Sequence, residues 1–358
     1  MKQLISRAGL LVLAFGLSSY TASSSNSGIQ GTVTDAETKK PISGVDVQMS
    51  PSGPCTTLEM HPFLYAGEFQ KQNLGGNEYF DNQKVYLVRD GKIAWTYLAT
   101  MATTGGKLVE LGDISMKSDG HIVMSLGWGG AREIIPDYNN PANSKIVWSC
   151  KAEGQVHTAQ PVGPDKVFVI DNTRNPKAKL YDEKTGAVLR TWDLPTVGTD
   201  AHSMFRHCRM TKAGTLLIAH MNMAKVVEYD ATTVKPIWSV EGMPHCWAAV
   251  RLKNGNTMVS GNENKYVREV NPQSQIVWEF SKNDLPAGST INLGNIQECD
   301  RLANGNTVIC TWQGDPSVLE VTPEKKIVWT LAKTVLGNSS SIHLLDEPGA
   351  MENGDLQR

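Results

Sequence analysis

Five of the eight histidines in this 358-residue chain stand in polar phrases at the ends of apolar runs. His157 lies in EGQVHTAQ, His202 and His207 in DAHSMFRHCRM, His220 in IAHMNM and His245 in MPHCWAAV. Imidazole titrates near neutrality and serves as base, nucleophile, metal ligand or anion donor. Three chemistries fit these residues and their neighbours. One is a binding site with Trp128, Trp247 and Trp312 as aromatic platforms. The second is transfer or elimination chemistry, with His202 or His207 as nucleophile or base and Arg206 and Arg209 holding an anion. The third is a metal site built from His157, His202 and His245. The residues are about 40 positions apart and no local motif chooses among them, so metal and cofactor content stay unknown at this level.

Residues this far apart meet only if a repeated element brings them together. Six tryptophans supply the repeat: Trp95, Trp148, Trp192, Trp238, Trp278 and Trp329 each close a phrase such as KIAW, KIVW or QIVW. Their spacing of about 40–50 residues, one aromatic mark per unit, is that of a β-propeller with one four-stranded blade per repeat. Turn signals subdivide each unit. Asp119-Gly120, Asn254-Gly255 and Asn304-Gly305 demand positive φ and mark two-strand hairpins. The phasing predicts five complete units over about 108–332. A sixth blade takes three strands from HPFLYAGE, QKVYLV and KIAWTY and its inner strand from SSIHLLDEP near the C-terminus. A ring stitched in this way leaves no free inner edge. The expectation is an all-β, six-bladed propeller over residues 61–348. A seventh blade from residues 28–60 is the alternative.

Strand direction then sorts the chemistry. The five histidines fall on the face carrying the loops into each inner strand and out of each second strand. His61 and His121 fall on the opposite face, and His343 lies inside the closing strand. The histidine face also collects Asp171, Asn172, Arg174, Asn222, Asn262, Glu263, Asn264, Trp312, Gln313 and Asp315 from loops. Arg206, Trp247, Gln297 and Glu298 come from inner strands. Convergent polar groups with a few aromatics at a concave mouth describe a ligand site. Watered polar side chains line propeller channels as a matter of course, so the clustering carries the weight rather than any one residue. Catalytic candidates are His202, His207, His245 and Arg206. Ligand-contact candidates are His157, His220, Trp247, Trp312, Asp171, Arg174, Glu263 and Gln297.

Two phrases carry a resemblance. Tyr181-Asp182-Glu183-Lys184-Thr185-Gly186 and Tyr229-Asp230-Ala231-Thr232-Thr233, the latter leading to Trp238, resemble the Asp-x-x-Thr-Gly-x-x-x-Trp blades of quinoprotein-type (PQQ-like) repeat propellers. Trp238 falls in register, whereas Arg190 holds the tryptophan place in the preceding blade and Trp192 follows two residues on. The Asn-Gly-Asn-Thr units are similar to propellers of the arylsulfotransferase type. That second resemblance implies sulfuryl transfer at channel histidines and an arginine. The chain lacks the eight blades and vicinal cysteine pair usual in quinone-using dehydrogenases, which leaves a PQQ cofactor doubtful. Residues 28–51 resemble the opening of a carboxypeptidase regulatory-like module and are expected to form a short hairpin about Thr38–Pro41.

Composition bounds the rest. A net charge of −2 and 20% charged residues offer no basic stripe, so nucleic acid is not expected as a partner. Lys2 and Arg7 before the apolar run Ala8–Leu17, then small residues to Ser25, read as a signal peptide over 1–22. Residues 23–60 are then linker and hairpin, and 349–358 a tail. No other apolar stretch reaches eighteen residues, so no membrane span is expected after signal removal. The expectation is a periplasmic or secreted monomer binding a small molecule, a glycan or a protein partner. An enzyme of sulfuryl-transfer or polysaccharide-lyase type is the alternative. Cys55, Cys150, Cys208, Cys246, Cys299 and Cys310 show no C-x-x-C pair and are expected as buried core residues.

Overall fold

The computed structural model describes residues 3–5, 19–25, 28–34, 47–49, 54–68, 83–99 and 110–356. The chain divides into two units, residues 1–55 and 56–358. In the first, Gly28–Thr34 pairs antiparallel with Ser19–Ser25, and Val47–Met49 pairs parallel with Gln3–Ile5. Both strands expected over 28–51 form, but each pairs with another partner; the turn expected at 38–41 lies outside the described residues.

The second unit is a six-bladed β-propeller. Each blade is a four-stranded antiparallel sheet in sequential order from inner strand A to outer strand D. The first blade comprises Ile114–Met116, Ile122–Ser125, Ala131–Ile135 and Lys145–Cys150. The second comprises Gln155–Pro161, Lys166–Asn172, Lys177–Asp182 and Val188–Asp193. Strand A is Arg209–Met210 in the third, Cys246–Arg251 in the fourth and Asn295–Arg301 in the fifth. The closing blade takes strand A from Asn338–Leu344 and its other strands from Phe63–Glu68, Lys84–Arg89 and Lys92–Leu98. That is the composite expected from the repeat, and among the described residues of the second unit six sheets make the ring.

The tryptophan mark has a physical reason. Each of the six lies on strand D. Five pass their indole N–H to a backbone carbonyl of the next blade: Trp95 to Asp137, Trp192 to Ala231, Trp238 to Pro272, Trp278 to Pro323 and Trp329 to Thr57, at 2.7–3.0 Å. A blade is apolar on both faces and must pack on a neighbour, and these bonds set the register of that packing. A second repeated mark, a glutamate on strand C, faces the tryptophan across the sheet at Glu133, Glu228, Glu269 and Glu320. It binds the A–B turn: Glu269 accepts from Asn254 and Asn256, and Glu320 from Asn306. The Asn-Gly-Asn turns are thus tied into their own blades. All the described cysteines but Cys55 are buried.

His61 clamps the ring where its ends meet. Its Nε2 lies 3.1 Å from Glu320 and its Nδ1 2.9 Å from Asp346. Burial alone would lower its pKa, but hydrogen bonds to the two carboxylates overcome this and raise it to about 9. Because the folded pKa exceeds the unfolded value of about 6.5, the clamp stabilises fully below that pH and fades as pH rises through about 9. Asp346 is 41% exposed, which screens its share and limits the effect to about 1–2 kcal/mol. Thermal melts should show wild type losing stability between pH 7 and 10 relative to His61→Gln. Parallel pH profiles would exclude the clamp.

Candidate functional site

The inner strands present equivalent positions to the channel, one per blade. Strand pairing aligns Gly112, His157, Arg206, Trp247, Gln297 and Ser340. In four blades this residue is the extra one of a β-bulge: His157, Trp247, Gln297 and Ser340. A bulge re-aims its side chain and twists the strand end, which is how four sheets that face each other edge-on can turn side chains to one mouth. The side chains do converge. The His157 and Trp247 ring centroids are 6.4 Å apart, although their strands are separated by the third blade. His207 lies 6.5 Å from Trp247, and His202 lies 6.2 Å from His157. Arg206 stacks over the Trp247 indole at 4.8 Å.

Arg206 is fully buried. It donates to the carbonyls of Phe205 at 2.9 Å and of His202. No carboxylate among the described residues lies within ion-pair distance of it. Burial lowers its pKa to about 10, opposed by the charges of Glu110 and Asp200, so it stays cationic at neutral pH. That charge governs its neighbours. Burial, then the charges of Arg206, His202 and His207, hold the His157 pKa well below the usual imidazole value. Burial and Arg206 lower His202 to about 4. His202 Nδ1 lies 2.9 Å from Gln155 Oε1, an acceptor, so that nitrogen carries the proton. Both rings are neutral at pH 7.

The mouth has a floor. Immediately below it, Arg209 bridges across the channel to Asp113 through two bonds of 2.7 and 3.1 Å and to Glu298 at 3.4 Å. All three are buried. They come from the third, first and fifth blades. At the far end the C-terminal residues cross the A–B turns. Glu352 accepts from Ser118 and, through its carbonyl, from Gly163; Asp355 pairs with Lys212; Glu347 accepts from Ala303. The C-terminal residues thus cross the A–B end of the channel.

The remaining expected site residues lie elsewhere. His220 is buried between Phe205 and the Tyr229 hydroxyl, as a core residue. Asp171 caps the backbone of Glu153 and Gly154 and pairs with Lys179. His245 pairs with Glu263 at 3.0 Å, both well exposed. Arg174 is exposed in its loop and Trp312 is half-buried in its own. Asn172 and Asn262 stitch the rim to the following blade. The structure does not assemble the metal site expected from His157, His202 and His245: among the described residues no group of three His, Cys, Asp or Glu is placed to hold a metal. Nor is Trp247 an open platform on the side that Arg206 covers. Gln155 and Glu110 also belong to the mouth: Gln155 stands two residues before His157 in EGQVHTAQ, whereas Glu110 stands in no phrase with a histidine or arginine.

Comparisons with known proteins bear on the fold. No family model matches the chain, and no curated protein does. Among solved structures, a protein of unknown function from Bacteroides caccae is 22% identical, with 79% of this chain and 98% of that one covered and a TM-score of 0.63. The WD40 propeller domain of Doa1 is 15% identical, with 84% of each chain covered and a TM-score of 0.50. The propeller domain of Cps50 (Swd1) from Myceliophteria thermophila is 13% identical, covers 75% and 86%, and also scores 0.50. The scaffold is a propeller. At these identities the likeness shows the fold alone.

Proposed function

We propose that the protein is an exported, monomeric binding propeller of the quinoprotein-like repeat type that takes a small molecule into the mouth on its histidine face. One observation carries this reading. Arg206, Trp247, His157 and Gln297, from four blades and one register position, converge above a closed floor. The edge-to-face ring contacts leave little width between them, which favours a small ligand over a glycan chain or a protein loop. Binding needs no particular pKa. Catalysis by these imidazoles would, because a general base works best with a pKa near the operating pH. His157 and His202 sit well below that, and no carboxylate orients either ring through a hydrogen bond among the described residues. Acid–base and sulfuryl-transfer roles are therefore the weaker readings.

The test is a metabolite screen by thermal shift on wild type and on Trp247→Leu, both checked for folding by circular dichroism. Ligands of this site raise the wild-type Tm by several degrees and leave the variant unmoved. Ligands that stabilise both proteins equally would place binding elsewhere and end this reading.

A further inference from the structure

We infer that the ligand of the mouth is a small hydroxy-carboxylate; this rests on the binding reading above and specifies its chemistry. The argument starts from buried polar atoms that find no protein partner. Arg206 Nε and Trp247 Nε1 are both donors, both buried, and neither meets an acceptor among the described residues. They belong to residues stacked at 4.8 Å from neighbouring blades. A buried donor without an acceptor costs about 1–3 kcal/mol, and more when it is charged. Two such donors side by side call for a group that only accepts.

The charge chooses the acceptor. Arg206 is cationic and 0% exposed, and no carboxylate among the described residues approaches within ion-pair distance. The acids below are already engaged: Asp113 accepts both terminal nitrogens of Arg209, and Glu298 accepts from Arg209 and the Ile342 amide. The flanking imidazoles of His157 and His202 are neutral and add no further charge. Glu110 and Asp200 act on Arg206 only through longer-range charge, which leaves its Nε–H for a carboxylate oxygen of the ligand. On the next blade, Gln297 Oε1 is a buried acceptor with no donor. It asks the same ligand for a hydroxyl. The crowded rings keep that ligand short.

The experiment is isothermal titration calorimetry of the full chain with three probes of equal length: glycerate, propionate and glycerol. Glycerate should bind at least about tenfold more tightly than either of the others, because propionate lacks the hydroxyls and glycerol the charge. Arg206→Lys keeps the charge but loses the Nε–H, and should weaken glycerate by about tenfold or more. Gln297→Leu should leave propionate unchanged and erase the preference for glycerate over it, which tests the idea even if the arginine variant fails to fold. Glycerol binding as tightly as glycerate, or no binding of any probe, overturns the inference. Where glycerol or another uncharged ligand acts on wild type and not on Trp247→Leu, the mouth remains the site and only the carboxylate is wrong. Where ligand effects survive Trp247→Leu, both readings fall together.

Discussion

Arg209→Met should destabilise the propeller by about 3–5 kcal/mol and lower its Tm by about 8–15 °C. The guanidinium is 4% exposed and meets Asp113 at 0% and Glu298 at 1%. Its removal leaves two buried carboxylates facing each other across the channel with no cation between them. The cost comes from those stranded charges more than from the lost bonds. Replacing all three residues with apolar side chains of similar volume should therefore recover much of the loss, since a buried ion cluster often contributes little over a packed apolar one. Chemical denaturation of the single and triple variants checks both statements. A single-variant loss below about 1 kcal/mol would mean that the triad is not the buried strut described above.

Removing residues 338–358 should abolish cooperative folding. Asn338–Leu344 is the inner strand of a blade whose other three strands come from the opposite end of the sequence. Six of its seven residues are buried. It ties the fifth blade to the first: Ile342 N donates to Glu298 at 2.9 Å, and Ser341 Oγ accepts from Ile114 N at 3.3 Å. Without it, Phe63–Glu68 becomes an exposed apolar edge, the usual template for aggregation. The truncated chain should elute as aggregate and show no sharp melting transition. A synthetic peptide of residues 338–356 should restore part of the folded signal. A truncated protein that melts cooperatively at the wild-type temperature would show that the ring does not depend on its C-terminal strand.

Blade architecture was legible in the linear chain because each blade solves the same local problem. The Asn-Gly turns need positive φ, and Gly255 and Gly305 adopt it at 87° and 90°. Strand D must hand an indole N–H to its neighbour, so tryptophan recurs at a readable period. Even the borrowed inner strand could be found, since a unit with three strands implies a fourth elsewhere.

The mouth was only half legible. Periodicity assigned Arg206, Trp247, His157 and Gln297 to inner strands, because it reports which strand a residue occupies and at which end. It placed His220, His245 and Asp171 on the same face as well, and the fold put the first in the core, the second beside Glu263 and the third under a backbone turn. Burial and pairing depend on neighbours that lie about 40 residues away, and no local pattern encodes them. The order of residues along the chain thus determined six wedges and the rim on which imidazoles gather. Tertiary packing alone decided that one arginine would be buried beside neutral rings. Its environment is assembled from four strands, and only their mutual approach fixes who shares its charge.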